Sequence, residues 1–71
     1  MSVSPPERLM RWPEVHERTA ISKVYAWRLR RQHRFPEPVR LGPNVVAWLE
    51  SDVMGWIEER RRERDQRLAA R

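Results

Sequence analysis

The chain reads as a mainly α-helical domain carrying one small β-hairpin, and three observations support that reading. Two short helical segments stand on either side of a tight break at Thr19-Ala20-Ile21. An alternating stretch, Val39-Arg40-Leu41, faces Val45-Val46-Ala47-Trp48 across Gly42-Pro43-Asn44, which is strong turn chemistry. A third apolar stripe, Val53, Trp56 and Ile57, then leads into a charged segment.

Length bounds the rest. A chain of 71 residues with no Cys and two Gly has room for one small domain. Roughly 60% of the unfolded surface can be buried at this size, so stability is expected to be marginal. A pocket enclosing a metabolite together with catalytic groups is not expected. Without Cys there is neither a disulfide framework nor a thiolate metal site, and packing alone must hold the fold. That usage suits a reducing cytosol. No apolar run approaches the roughly 18 residues that cross a bilayer. The opening Met1-Ser2-Val3-Ser4-Pro5-Pro6 lacks the basic-then-apolar layout of a secretory signal. The expectation is a cytoplasmic domain associated with the nucleoid, with no membrane partner.

Residues 1–7 hold two prolines and no periodicity, and read as a disordered lead-in, with the chain tied down from Arg8 to Met10 onward. A first helix is expected from about Pro13 to Arg18. Proline suits the first helical position because its missing N–H would have no partner there. Glu14 complements the positive end of the helix dipole. Leu9, Val15 and Ile21 are its expected inward anchors. Ser22 is a good N-cap for a second helix from about Lys23 to Gln32. Ala26 and Leu29 share its inner face, with Lys23, Trp27, Arg28 and Arg31 largely on other faces. Phe35-Pro36-Glu37-Pro38 ends that helix, since each residue before a proline is pushed towards extended backbone. The hairpin follows and must lie against helices to be stable. Ser51 and Asp52 start the third helix, with Val53, Trp56, Ile57 and Leu49 on its inner stripe. Trp48 and Trp56 are expected in the core. Residues 58–71 read as a charged, solvated extension of the third helix, beyond a domain spanning 8–57. Glu58–Arg62 and Glu63–Arg67 have favourable four-residue spacing there, and Glu59–Glu63 is repulsive.

Helix, turn, helix, hairpin, helix is the winged helix-turn-helix order, and charge placement fits a use for it. Residues 18–40 carry seven basic side chains against one acid, Glu37. From Leu49 onward six basic residues meet six acidic ones. The net charge of +5 is therefore concentrated mid-chain, as expected for a surface that meets a polyanion. Fourteen of the fifteen basic residues are Arg, whose planar fork suits phosphate and guanine edges. A major groove about 12 Å wide admits one helix, whose first turns reach base edges. The candidate DNA contacts of the second helix are Ser22, Lys23, Tyr25, Trp27, Arg28 and Arg31. Arg34 on the flank and Arg40 and Asn44 in the wing complete the set. Arg31 and Arg34, further along, suit phosphate. Each has a plainer reading: Arg28 pairs with Glu14 or Glu17, Tyr25 and Trp27 pack, and Asn44 serves only a left-handed turn.

Catalysis finds no support. His16 and His33 sit on different expected elements without a third ligand, so no metal is expected. Ser22, His33 and Asp52 make a triple of the kind that chance supplies, and neither a nucleophile motif nor a Gly-rich phosphate loop accompanies it. No cofactor and no enzymatic activity are expected.

The stretch from Arg8 to Ile57 resembles the AlpA family of phage and prophage regulators, small relatives of MerR-like and excisionase DNA-binding domains. The resemblance rests on Arg11-x-Pro13-Glu14-Val15 and Arg18-Thr19-x-Ile21-Ser22-Lys23. It continues through Arg34-Phe35-Pro36-x-Pro38-Val39-x-Leu41-Gly42 and Val46-Ala47-Trp48-Leu49-Glu50-Ser51-x-Val53-x-x-Trp56-Ile57. It implies a winged helix that binds specific DNA and acts as a transcriptional regulator, an excisionase, or both. The recognition helix then falls on Ser22 to Arg31 and the wing on Val39 to Val46. Against the family pattern, His33 replaces a glycine that ends the recognition helix, and Arg30 replaces an apolar residue. Trp27 stands for a Tyr, and Asn44 for a basic wing tip.

The leading expectation is thus a sequence-specific double-stranded DNA binder that positions or bends DNA, or contacts an integrase or RNA polymerase. A single small module buries only roughly 600–1,000 Å², so cooperative self-association on repeated sites is expected. The rival expectations are a protein-interaction module, such as an anti-repressor whose basic face meets an acidic protein, and nonspecific or RNA binding.

Overall fold

A computed structural model describes residues 8–70. Its elements run β1 (Leu9–Met10), α1 (Trp12–Thr19), α2 (Lys23–Arg31), β2 (Val39–Gly42), β3 (Val45–Leu49) and α3 (Glu50–Ala69). This mainly helical arrangement with three antiparallel strands is a small winged helix-like fold. The lead-in expected over residues 1–7 lies outside the described residues.

Local chemistry explains each boundary. Pro13 and Glu14 occupy the first turn of α1. The helix stops at Ala20, whose backbone is left-handed with φ 61° and whose N–H reaches the His16 carbonyl at 2.7 Å. His16 braces the same turn by donating from Nδ1 to the Ile21 carbonyl at 2.7 Å. Ser22 caps α2 by accepting the Tyr25 N–H at 3.1 Å, as its residue type suggested. At the far end His33 is left-handed, with φ 57°. Its N–H bonds the Arg30 carbonyl at 3.0 Å, and the Arg34 N–H bonds the Leu29 carbonyl at 2.8 Å. These paired bonds make a Schellman end, whose left-handed residue is usually Gly.

The hairpin is part of a three-stranded sheet in the order β1-β3-β2. Leu9 pairs with Leu49 and Met10 with Trp48. A two-residue strand leaves no periodicity to read, and this one changes two sequence expectations. Met10 is completely buried, whereas Leu9, expected as an inward anchor, is 42% exposed; neighbours on a strand face opposite ways. Leu49, expected on the stripe of the third helix, is instead the last residue of β3. On the other side Arg40 pairs with Val46 and Gly42 with Val45, so Leu41 is the extra residue of a bulge. Pro43 and Asn44 form the tip. Asn44 has φ 61°, a backbone that Asn tolerates better than most residues.

Met10, Val15, Ala26, Leu29, Phe35, Trp48 and Val53 make the core, with Trp12, Ile21, Val46, Trp56 and Ile57 packed around it. Trp48 belongs to the core as expected, and Trp56 lies half-buried at its edge. Both also hold the loop between α2 and β2. Trp48 Nε1 donates to the Pro36 carbonyl at 3.0 Å, and Trp56 Nε1 to the Arg34 carbonyl at 2.8 Å.

The third helix begins at Glu50, one residue before the expected Ser51, and runs unbroken for 20 residues, a rod of about 30 Å. Three of its ion pairs take three-residue rather than four-residue spacing, Glu58 with Arg61, Glu59 with Arg62 and Arg60 with Glu63, and a fourth joins the neighbours Arg64 and Asp65. Glu59 and Glu63 thereby each have a cation of their own. Among the described residues no helix is long and apolar enough to cross a membrane.

Candidate nucleic-acid interface

With Ala26 and Leu29 turned into the core, the opposite side of α2 carries Val24, Trp27, Arg28 and Arg31, at the three- and four-residue spacings that share a helix face. Together with Gln32 they line one open depression of about 420 Å³. Lys23, Val24 and Trp27 also border an adjoining groove of about 400 Å³, closed on its other side by Trp12, Val46 and Trp48. Arg40 lies directly across from Val46 in the sheet, and residues paired in this way project from the same face. The wing cation is thereby brought to the groove side of the sheet.

The other expected contacts are distributed differently. Ser22 uses its oxygen to cap α2. Tyr25 is exposed and lies about 60° from Arg28 but about 120° from Arg31 on the wheel of the helix, at the edge of this face. Arg34 lines a separate depression with Asp52, Trp56, Glu59 and Arg60. Asn44 sits at the tip of the wing, where its positive φ already explains the residue type.

Charge pairing is concentrated on α3 and at Arg8, although Arg11, Arg18 and Arg67 take part in no ion pair among the described residues. Arg8 bonds Glu14 at 2.6 Å and Glu50 at 3.3 Å, and the arginines of α3 from Arg60 to Arg64 are paired with neighbouring carboxylates. Lys23, Arg28, Arg31, Arg34 and Arg40 take part in no ion pair among the described residues. Arg28 in particular reaches neither Glu14 nor Glu17. Three such cations on α2 and one on the wing raise the local positive potential, with Arg34 apart from them on the flank.

Arg30 is the exception on α2. It pairs with Glu37 at 3.3 Å and lies 5.1 Å over the Trp27 ring. Its side chain is three-quarters covered, and Nε is buried without a hydrogen-bond partner. A charge at the core edge is thus tolerated by one carboxylate and one aromatic face, which accounts for an Arg where the resemblance implied an apolar residue. Trp27 itself stays 58% exposed.

Sequence reasoning passed over Val24. It is 69% exposed, more than any other large apolar residue described, and it occupies the middle of the outward face. Its position two residues after the cap, almost opposite the Ala26–Leu29 stripe, was the available signal. Among the described residues no group of three or more His, Asp or Glu could hold a metal ion.

A family model described as "Prophage CP4-57 regulatory protein (AlpA)" matches residues 8–61. The chain is 41% identical over 54 residues to "Uncharacterized protein ORF88" of Enterobacteria phage P4, which covers 76% of this chain and 61% of that protein. The chain therefore spans about three-fifths of the length of the curated relative it matches. No solved structure matches.

Proposed function

The chain belongs to the AlpA family of prophage regulatory proteins, and on that premise we propose that it is a regulator that binds specific double-stranded DNA. Helix α2 enters the major groove, and the β2–β3 wing rests on the adjacent backbone or minor groove. Lys23 and Arg28 approach base edges from the first turns with Trp27 beside them, and Ser22 and Tyr25 flank the entry. Arg31, Arg34, Arg40 and Asn44 engage phosphates and sugar, which set orientation rather than sequence. The output is transcriptional control or prophage excision, exerted by shaping DNA or by contacting RNA polymerase or an integrase. Such work needs no chemistry from the chain. It takes place in the cytoplasm at the nucleoid, with several copies bound cooperatively on repeated sites.

The observation carrying this reading is that the cations on α2 and the wing, Arg30 apart, have no carboxylate partner, while most arginines of α3 are neutralised. A gel-shift titration against excess random duplex tests it. One complex is expected to survive the competitor. Complete loss would reduce the activity to nonspecific binding, and no shift at all would favour an acidic protein partner. Charge reversal by Arg28→Glu is expected to abolish the shift and leave helical circular dichroism intact. Footprinting upstream of the protein's own gene then separates transcriptional control from excision.

A further inference from the structure

Val24 contributes little to the fold. Its side chain is 69% exposed on an outward helix face, and a β-branched residue is a weaker helix former than the Ala, Leu or Lys that could stand there. It is nevertheless framed by function-bearing neighbours. Trp27, Arg28 and Arg31 line the same open depression of about 420 Å³. An isopropyl group encircled by an indole and two unpaired guanidinium groups is complementary to an apolar spot within a strongly anionic surface.

The duplex major groove offers one such spot, the C5-methyl group of thymine; its other base-edge features there are hydrogen-bond donors and acceptors. We propose that Val24 is a specificity-determining residue that reads a thymine methyl in the major groove, with Trp27 closing one side of the contact. The inference rests on the DNA-binding reading above and adds the base it selects. Arg28 follows one turn later, about 6 Å along the helix axis. That is close to the rise of two base pairs, so the thymine lies within about two base pairs of the base that Arg28 meets. Guanine is the base to which arginine forks.

The test uses the full chain and a pool of random 20-base-pair duplexes. The pool is selected on the protein, and each thymine of the winning sequence is then replaced singly by deoxyuridine, which removes only the methyl. Loss of one buried methyl corresponds to about a fourfold fall in affinity. At one or two thymines the wild-type protein is expected to lose about that much. Val24→Ala is expected to bind thymine and uracil duplexes within twofold of each other at those positions, while Val24→Thr, which keeps a γ-methyl, retains part of the preference. Because Val24 is exposed, both variants are expected to keep wild-type helical circular dichroism. Equal binding of every uracil duplex by the wild-type protein would overturn the proposal while leaving DNA binding itself intact. So would an undiminished thymine preference in Val24→Ala. If selection enriches no sequence, the DNA-binding reading fails and the proposal fails with it.

Discussion

The salt dependence of binding can be worked out from the charge arrangement. If Arg31, Arg34 and Arg40 each neutralise one phosphate, three contacts at roughly 0.9 each give a slope of log affinity against log salt of about −2.7. Raising salt from 50 to 200 mM would then weaken binding about 40-fold. Arg31→Gln removes one contact, so its slope should flatten to about −1.8 and the loss over the same range should fall to about 12-fold. Arg64→Gln serves as the control, because Arg64 is already held by Asp65 at 2.9 Å and lies on α3. Its slope should match the wild type. Fluorescence anisotropy on one selected duplex, titrated at four or five salt concentrations, reads all three slopes. Equal flattening by Arg31→Gln and Arg64→Gln would mean that total charge, not this surface, drives binding. A wild-type slope shallower than −1 would refute the phosphate assignment altogether.

The fold makes three further predictions. Met10→Ala should destabilise by about 2–5 kcal/mol because the side chain is wholly enclosed, whereas Leu9→Ala should stay within about 0.5 kcal/mol; urea midpoints for both would expose a wrong register for β1. His33→Gly and Ala20→Gly each relieve a left-handed backbone at a helix end. Each should raise stability by up to about 1 kcal/mol, or a few degrees of melting temperature, and a fall in either would refute the strain. Trp56→Phe removes the bond to the Arg34 carbonyl and should cost about 1 kcal/mol, lowering the urea midpoint at unchanged slope.

Much of this molecule could be read from residue types because its boundaries are set by local chemistry. Ser22 as a cap, Pro13 in a first turn and Pro43-Asn44 at a tip act within a few residues, so α1, α2 and the hairpin were legible with boundaries off by no more than about two residues. β1 was not, because its two residues owe their conformation to β3, nearly forty positions later. The same long-range pairing drew Leu49 into the sheet and turned Leu9 outward. In the site, the cations were visible in the sequence, but their lack of partners was not: Arg28 and the nearby Glu14 and Glu17 could equally have paired. Glu14 turns to Arg8 instead. Val24 escaped because an apolar residue in a helix is ordinarily assigned to the core, and only its exposure marks it otherwise.

The same arrangement sets stability against function. Helix α2 has no acidic residue in its first turn and three arginines in its last. The arginines near the C-terminus interact well with the dipole, but Lys23 at the other end does not, and Arg28 and Arg31 repel one another across a turn. The Ser22 cap, the Schellman bonds and the Arg30–Glu37 pair offset part of that cost, and Glu37 is the only carboxylate between Arg18 and Arg40. A further carboxylate against Arg28 or Arg31 would stabilise the helix and remove the charge proposed to meet DNA. Salt should therefore act in opposite directions on the two properties. Screening the excess of +5 should raise the melting temperature of the free protein between 10 and 150 mM salt, since the exposed pairs on α3 add little to stability. Over the same range affinity for DNA should fall. Thermal melts followed by circular dichroism at constant pH test the first half. A melting temperature that declines steadily with salt would mean that the ion pairs, not the unpaired cations, dominate the electrostatics of the fold.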